Sequence, residues 1–189
     1  QGLGAQLAIR FAAMGMHVIF SSRTISRLEA LGKKIEDDGG IVTPVCADAS
    51  KEDQVQKLFE IAGSDISLAI YNTGNNFPGQ IIDMDANYFE KSWKSCCFGG
   101  FLFGREAIRN MAKSRGGTLI FTGASASLRG RANFGAFNSS KAALRALANA
   151  MAKEYGPRGI HVGHIVVDGA IAGDKIKKNL PDLAKKLGD

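Results

Sequence analysis

The stretch that decides the fold is "QGLGAQLAIRFAAMGMHVIFSSR", Gln1–Arg23. It opens on Gly2-x-Gly4 and continues with apolar residues at helical spacing up to a stop at Gly15. The apolar run "HVIFS" (His17–Ser21) follows, short and rich in strand formers. Glycines at a helix entry let the backbone approach an anionic group, and the helix N-terminus turns free N–H groups and positive dipole charge toward it. Alone, Gly2-x-Gly4 is a weak signal, since many helix starts share it; the strand that follows raises its value as a dinucleotide-binding pattern.

Outward from this stretch the same alternation repeats. Strand-like runs are "IVTPVCA" (Ile41–Ala47), "SLAIYN" (Ser67–Asn72), "GTLIFTG" (Gly117–Gly123) and "HVGHIVVDG" (His161–Gly169). They are nearly continuous in apolar residues, as strands covered on both faces require. Between them lie helical segments at "ISRLEALGKKIEDDGG" and "KEDQVQKLFEIAG", a long one over Asn87–Lys113, and another over Asn133–Tyr155 that stops at "GPRG". No repeat or Ser/Pro-rich linker divides the chain. The pattern predicts one α/β domain over residues 1–189, a doubly wound parallel sheet of Rossmann type with right-handed crossovers. Ligands on such a sheet sit at the carboxyl ends of the strands.

Composition narrows the function classes. The chain has 189 residues, 45% hydrophobic and 22% charged, the balance of an ordinary globule. No run of about 18 apolar residues is present, so no membrane span is expected. The net charge of +6 is dispersed, apart from a modest cluster in the C-terminal "GDKIKKNLPDLAKKLGD", which reads as a solvated helix face and argues against a nucleic-acid partner. The three cysteines, Cys46, Cys96 and Cys97, lack C-x-x-C spacing, and His17, His161 and His164 lack ligand spacing. Neither a disulfide framework nor a metal site is expected, and a reducing, cytoplasmic setting fits best. The opening on "QGLG" and the ending on a charged helical stretch lead us to expect further segments at both ends.

The end of the first strand carries "SSR", Ser21–Arg23. A site for NAD(H) wants an acid there for the ribose 2′-hydroxyl. Ser22 and Arg23 suit a 2′-phosphate instead, through charge-assisted hydrogen bonds, so NADP(H) is favoured over NAD(H). The plainer alternative is a surface arginine near a helix start.

The order and spacing of the motifs resemble the short-chain dehydrogenase/reductase family over essentially the whole chain. "GLG" (Gly2, Leu3, Gly4) matches the tail of its T-G-x-x-x-G-[IL]-G opening. Asp48 in "ADAS" matches its adenine-binding acid, and Asn72, Thr73 and Gly74 in "YNTG" match its N-N-A-G. Lys141 matches the lysine of its Y-x-x-x-K, and Gly169 in "DG" the glycine of its P-G. The resemblance implies that Lys141 holds the nicotinamide ribose and that Gly169 and Ile171 approach the nicotinamide amide by backbone. It also implies a small-molecule substrate and a homodimer or homotetramer built on the two long helices, with Trp93 at a subunit contact.

The departures from the family bear on chemistry. Its carbonyl-polarising serine aligns with Ala124, its proton-transferring tyrosine with Phe137, and its relay asparagine with Cys96. None of these can do the same work. A tyrosine seven residues before the lysine, as in a divergent branch, is here Phe134. Tyr71, Tyr88 and Tyr155 are not on the proper helix turn, and Ser125, Ser127, Asn138, Ser139 and Ser140 are offset from it. A positioned general acid is worth about 10²–10⁴-fold and an oxyanion donor about 10²–10³-fold. These effects are not additive, so carbonyl reduction by the usual route is expected to be about 10⁴-fold slower. Cys96 and Cys97 read first as small apolar residues at a helix contact. Two functions stay open: an oxidoreductase that takes its proton elsewhere, and a non-catalytic NADP(H)-binding sensor or inactive oligomer partner.

Overall fold

The structure is a computed structural model that describes residues 2–169 and Lys185. The contacts of these residues gather into two compact units, one over residues 2–47 with Gly169, the other over 48–168.

In the first unit α1 (Leu3–Ala13) leads into β1 (Val18–Ser22), then α2 (Ile25–Asp37) and β2 (Val42–Cys46). The strands pair in parallel from Val18 opposite Val42 to Ser22 opposite Cys46. Ala8, Ala12 and Ile35 are buried there, with Val18, Phe20, Leu31 and Val42 packed on them. The pairing continues one step past the strands, where Ala47 N–H donates to the Ser22 carbonyl at 3.1 Å.

In the second unit α3 (Glu52–Ala62), β3 (Leu68–Tyr71), α4 (Ala86–Trp93), α5 (Gly99–Met111), β4 (Gly117–Ala124), α6 (Gly135–Tyr155) and β5 (Ile160–Val167) follow in order. The three strands form a parallel sheet in the order β3-β4-β5. Its register sets Tyr71 opposite Phe121 and Ala124 opposite Val167. The core is Tyr71, Leu119 and Phe121 from the sheet against Leu102, Met111, Leu144, Ala148 and Met151 from α5 and α6. Gly100 and Gly104 let α5 come close: a Cβ at Gly100 would press on the Leu144 side chain, and one at Gly104 would come within 2.9 Å of Met151.

The alternation read from the sequence therefore appears as expected, with one correction. The long helix expected over Asn87–Lys113 is not uniform. Lys94–Phe98 winds as a π-helix between α4 and α5. Such turns cluster at functional positions because they free a backbone group from the regular ladder. Here the Ser95 carbonyl takes the Tyr71 hydroxyl at 2.5 Å. No helix among the described residues is long and apolar enough to cross a membrane.

Candidate active site

In the first unit α1 begins at Leu3 with Gly2 as its N-cap and no capping side chain. No side chain therefore caps its first amide donors. The Gly2 carbonyl faces inward and accepts Ala5 N–H at 3.0 Å. A Cβ at Gly2 would meet nothing within 4 Å, so the space before the helix is open. At the other end of this unit's path, Ser22 Oγ accepts Thr24 N–H at 3.2 Å, which turns the chain into α2. Arg23 follows directly and is exposed.

In the second unit Asp48 is half-buried, and its Oδ1 accepts Ser50 N–H at 2.9 Å and Ser50 Oγ–H at 2.8 Å. Its own N–H donates to Gln54 Oε1 at 2.7 Å. Asn72, Thr73 and Gly74 leave the carboxyl end of β3. Gly169, which groups with the first unit, is exposed, with φ +134°. Ile171 lies outside the described residues.

Lys141 is the anchor of this site. It is buried, at 4% exposure, on the sheet side of α6. Its ammonium donates to the Thr122 carbonyl at 2.7 Å and the Thr73 carbonyl at 3.3 Å. One side chain thus ties α6 to the ends of both β3 and β4. Burial pushes its pKa below the ordinary lysine range, with Cys96 acting in the opposite direction. A Cβ placed on Gly74 would lie 3.4 Å from Cys96 Sγ and 3.5 Å from Lys141 Nζ, so the lysine and the thiol both border that glycine.

Phe137 stands one helical turn before Lys141 and is half-buried, its ring centroid 5.9 Å from Nζ. Ala124 ends β4. Three nearby hydroxyls are already committed to backbone acceptors. Ser127 donates to the Ala124 carbonyl, Ser139 to Gly135 at 2.9 Å, and Ser140 to Ala136 at 2.6 Å. The Tyr71 hydroxyl donates its hydrogen bond to the Ser95 carbonyl, and burial pushes its pKa far above the ordinary tyrosine range. It holds that proton at neutral pH and serves as a strut between β3 and the π-helical stretch. Cys97 is likewise raised, by burial first and then by Cys96.

The rim of the site is fixed by backbone contacts. Asn133 takes a left-handed φ of +67°, which asparagine tolerates. Its carbonyl accepts Gly79 N–H at 2.7 Å, which straps the segment after β3 to the start of α6. Ile81 packs on Gly135 there. Arg129 and Asp168, 3.8 Å apart, join the loop after β4 to the end of β5.

Several features here had no sequence signal that we read: the Tyr71 bond to Ser95, the π-helical turn, and His164, whose ring lies on Gly123. No cluster of His, Cys, Asp and Glu able to hold a metal occurs among the described residues.

Comparison with known proteins places this geometry. Residues 1–181 match the short chain dehydrogenase family. An uncharacterized oxidoreductase of Bacillus subtilis is 30% identical over 181 residues, covering 93% of this chain and 26% of its own length. A 3-oxoacyl-(acyl-carrier-protein) reductase of Rickettsia conorii is 29% identical, covering 94% of this chain and 71% of its own. The crystal structure of a short-chain dehydrogenase from Rhodopseudomonas palustris superposes with a TM-score of 0.83 and 38% identity, over 86% of this chain and 77% of that one. The fold is the Rossmann-like α/β fold of these structures, and the chain belongs to the short chain dehydrogenase family of oxidoreductases.

Proposed function

We propose that this chain binds NADP(H) and serves as an oxidoreductase whose acceptor needs little help from a protein acid. The observation that carries the reading is Lys141, held by two strand-end carbonyls with Phe137 one turn ahead of it. The buried ammonium and the neighbouring Asn72, Thr73 and Gly74 fit the hydroxyls of a nicotinamide ribose, as in the family. The bound cofactor would supply the hydride, and these residues would orient it. In the first unit Gly2, Leu3 and Gly4 would serve the pyrophosphate, and Ser22 and Arg23 the 2′-phosphate. Asp48 would serve the adenine.

With Ala124, Phe137 and Cys96 at the positions of the family's serine, tyrosine and asparagine, an unactivated ketone is a poor acceptor. An activated alkene, whose reduced form takes its proton from solvent, is a better one. The test is NADPH binding followed by fluorescence, then initial rates on a panel of ketones and conjugated enals. NADPH oxidation is expected with the enals and to be weak with the ketones. The engagement of Ser127, Ser139 and Ser140 with backbone carbonyls favours a second reading, a non-catalytic NADP(H)-binding protein. Tight binding with no acceptor-dependent oxidation would select it.

Arg23→Ser tests the cofactor choice. It is expected to weaken NADP⁺ binding by about tenfold or more, the size of a charge-assisted bond, and to leave NAD⁺ binding within about twofold. Equal losses for both would remove Arg23 from 2′-phosphate recognition. For assembly we propose a homo-oligomer through α4 and α5, which carry Trp93 and Phe101, 41% and 37% exposed. Trp93 stacks on Phe98 with centroids 5.8 Å apart, forming an aromatic ridge suited to helix packing.

A further inference from the structure

We propose that His164 is a positioning residue for Lys141, and that its protonation loosens the lysine's hold on the strand ends. The geometry is local and specific. His164 lies on the face of β5 that continues from the core residues Ile160 and Val162 toward Lys141. Its ring occupies the volume a side chain at Gly123 would need: a Cβ there would overlap Cε1 and Nε2 and come within 2.9 Å of Nδ1. Lys141 Nζ donates to the carbonyl of Thr122, the residue before Gly123. The lysine and the imidazole therefore abut the same Thr122–Gly123 peptide.

Nε2 of His164 is buried and has no hydrogen-bond partner among the described residues. Such an atom calls for a role. The charged groups that act on it are Lys141 and Arg145, one turn apart on α6; β4, where it pairs with Phe121 and its ring lies on Gly123, brings no charged residue to it. Burial, followed by these two cations, holds its pKa below the ordinary histidine value. At neutral pH the ring is thus neutral, so it cannot stand in for the missing acid. Its weight falls instead on the lysine. A neutral ring leaves the ammonium its two carbonyl bonds. A proton on the ring adds a third positive charge beside the buried ammonium and the exposed Arg145 guanidinium, with no described acid to offset it.

The sign follows. A histidine with a depressed folded-state pKa contributes stability above its unfolded value near 6.5, and that contribution is lost as pH falls toward the folded value. The same fall in pH should weaken binding at Lys141. The consequence for binding rests on the cofactor reading above; the coupling itself does not.

The test has two arms on the whole chain. In the cofactor-free protein, the His164 ring is titrated by NMR and assigned with His164→Gln. Its midpoint is expected below 6.5 and to rise toward that value in Lys141→Met and, less, in Arg145→Gln. In the second arm NADP⁺ affinity is measured calorimetrically from pH 7.5 to 5. The native chain is expected to lose on the order of tenfold more than His164→Gln, as one added like charge would impose. The variant retains only the loss from protonating the cofactor's own phosphate. A midpoint unmoved by either α6 substitution, or identical affinity profiles in the native chain and His164→Gln, overturns the proposal. Absence of NADP⁺ binding at every pH removes the cofactor reading, and the NMR arm still decides the coupling.

Discussion

Reduction of a simple ketone such as cyclohexanone is expected to rise by about 10²–10⁴-fold in the double variant Phe137→Tyr, Ala124→Ser. The new phenol would stand one turn before Lys141, on a ring whose centre is already 5.9 Å from the ammonium. A cation at that range favours the phenolate and so tunes the group as an acid. Phe137 is half-buried, so one added hydroxyl meets little packing resistance. The hydroxyl introduced by Ala124→Ser would sit at the last residue of β4, opposite Val167. Most of the gain belongs to Phe137→Tyr alone, since an oxyanion donor without an acid has little to stabilise. Initial rates of NADPH oxidation with the four combinations check this. If the double variant binds NADPH as before and gains nothing, the acceptor pocket has diverged beyond these two side chains.

Gly116→Ala is expected to destabilise the fold by about 3–5 kcal/mol, combining a left-handed backbone with an overpacked contact. Gly116 has φ +84°, and a Cβ there would overlap the Gly159 carbonyl oxygen and lie 3.0 Å from its carbon. That obstacle is backbone and cannot rotate away. The same carbonyl receives Gly117 N–H at 3.4 Å, at the point where β4 and β5 begin to pair. For a chain of this length the loss corresponds to a fall in melting temperature of about 8–15 °C. Gly159→Ala is the internal control: φ is +79° but nothing lies within 4 Å, so only the backbone term of about 1–2 kcal/mol is expected. Equal losses at the two positions would show that the contact adds nothing.

The alternation of strands and helices was legible because parallel strands covered on both faces must be continuously apolar. "GTLIFTG" and "SLAIYN" carry that requirement openly. Lys141 was legible through the motif around it. His164 was not, because in "HVGHIVV" it reads as one polar residue in an apolar run. Its meaning depends on Gly123, forty-one positions earlier, which the β4–β5 ladder brings beside it by setting His164 opposite Phe121. Tyr71 lies on β3, off the helix that carries Lys141. That it props open the Ser95 carbonyl could not be read, since the π-helical turn leaves the local composition unchanged.

That turn has a consequence for how the molecule can vary. A wide winding over Lys94–Phe98 lets the consecutive residues Cys96 and Cys97 both be buried. Deleting one residue from the stretch would restore ordinary winding and leave the half upstream, with Trp93, close to its present direction, because five residues of the wide winding turn about as far as four of the ordinary one. The loss of a single codon at this one place would thus return the Ser95 carbonyl to the regular ladder and unseat the Tyr71 hydroxyl, while the exterior aromatic face keeps its aim.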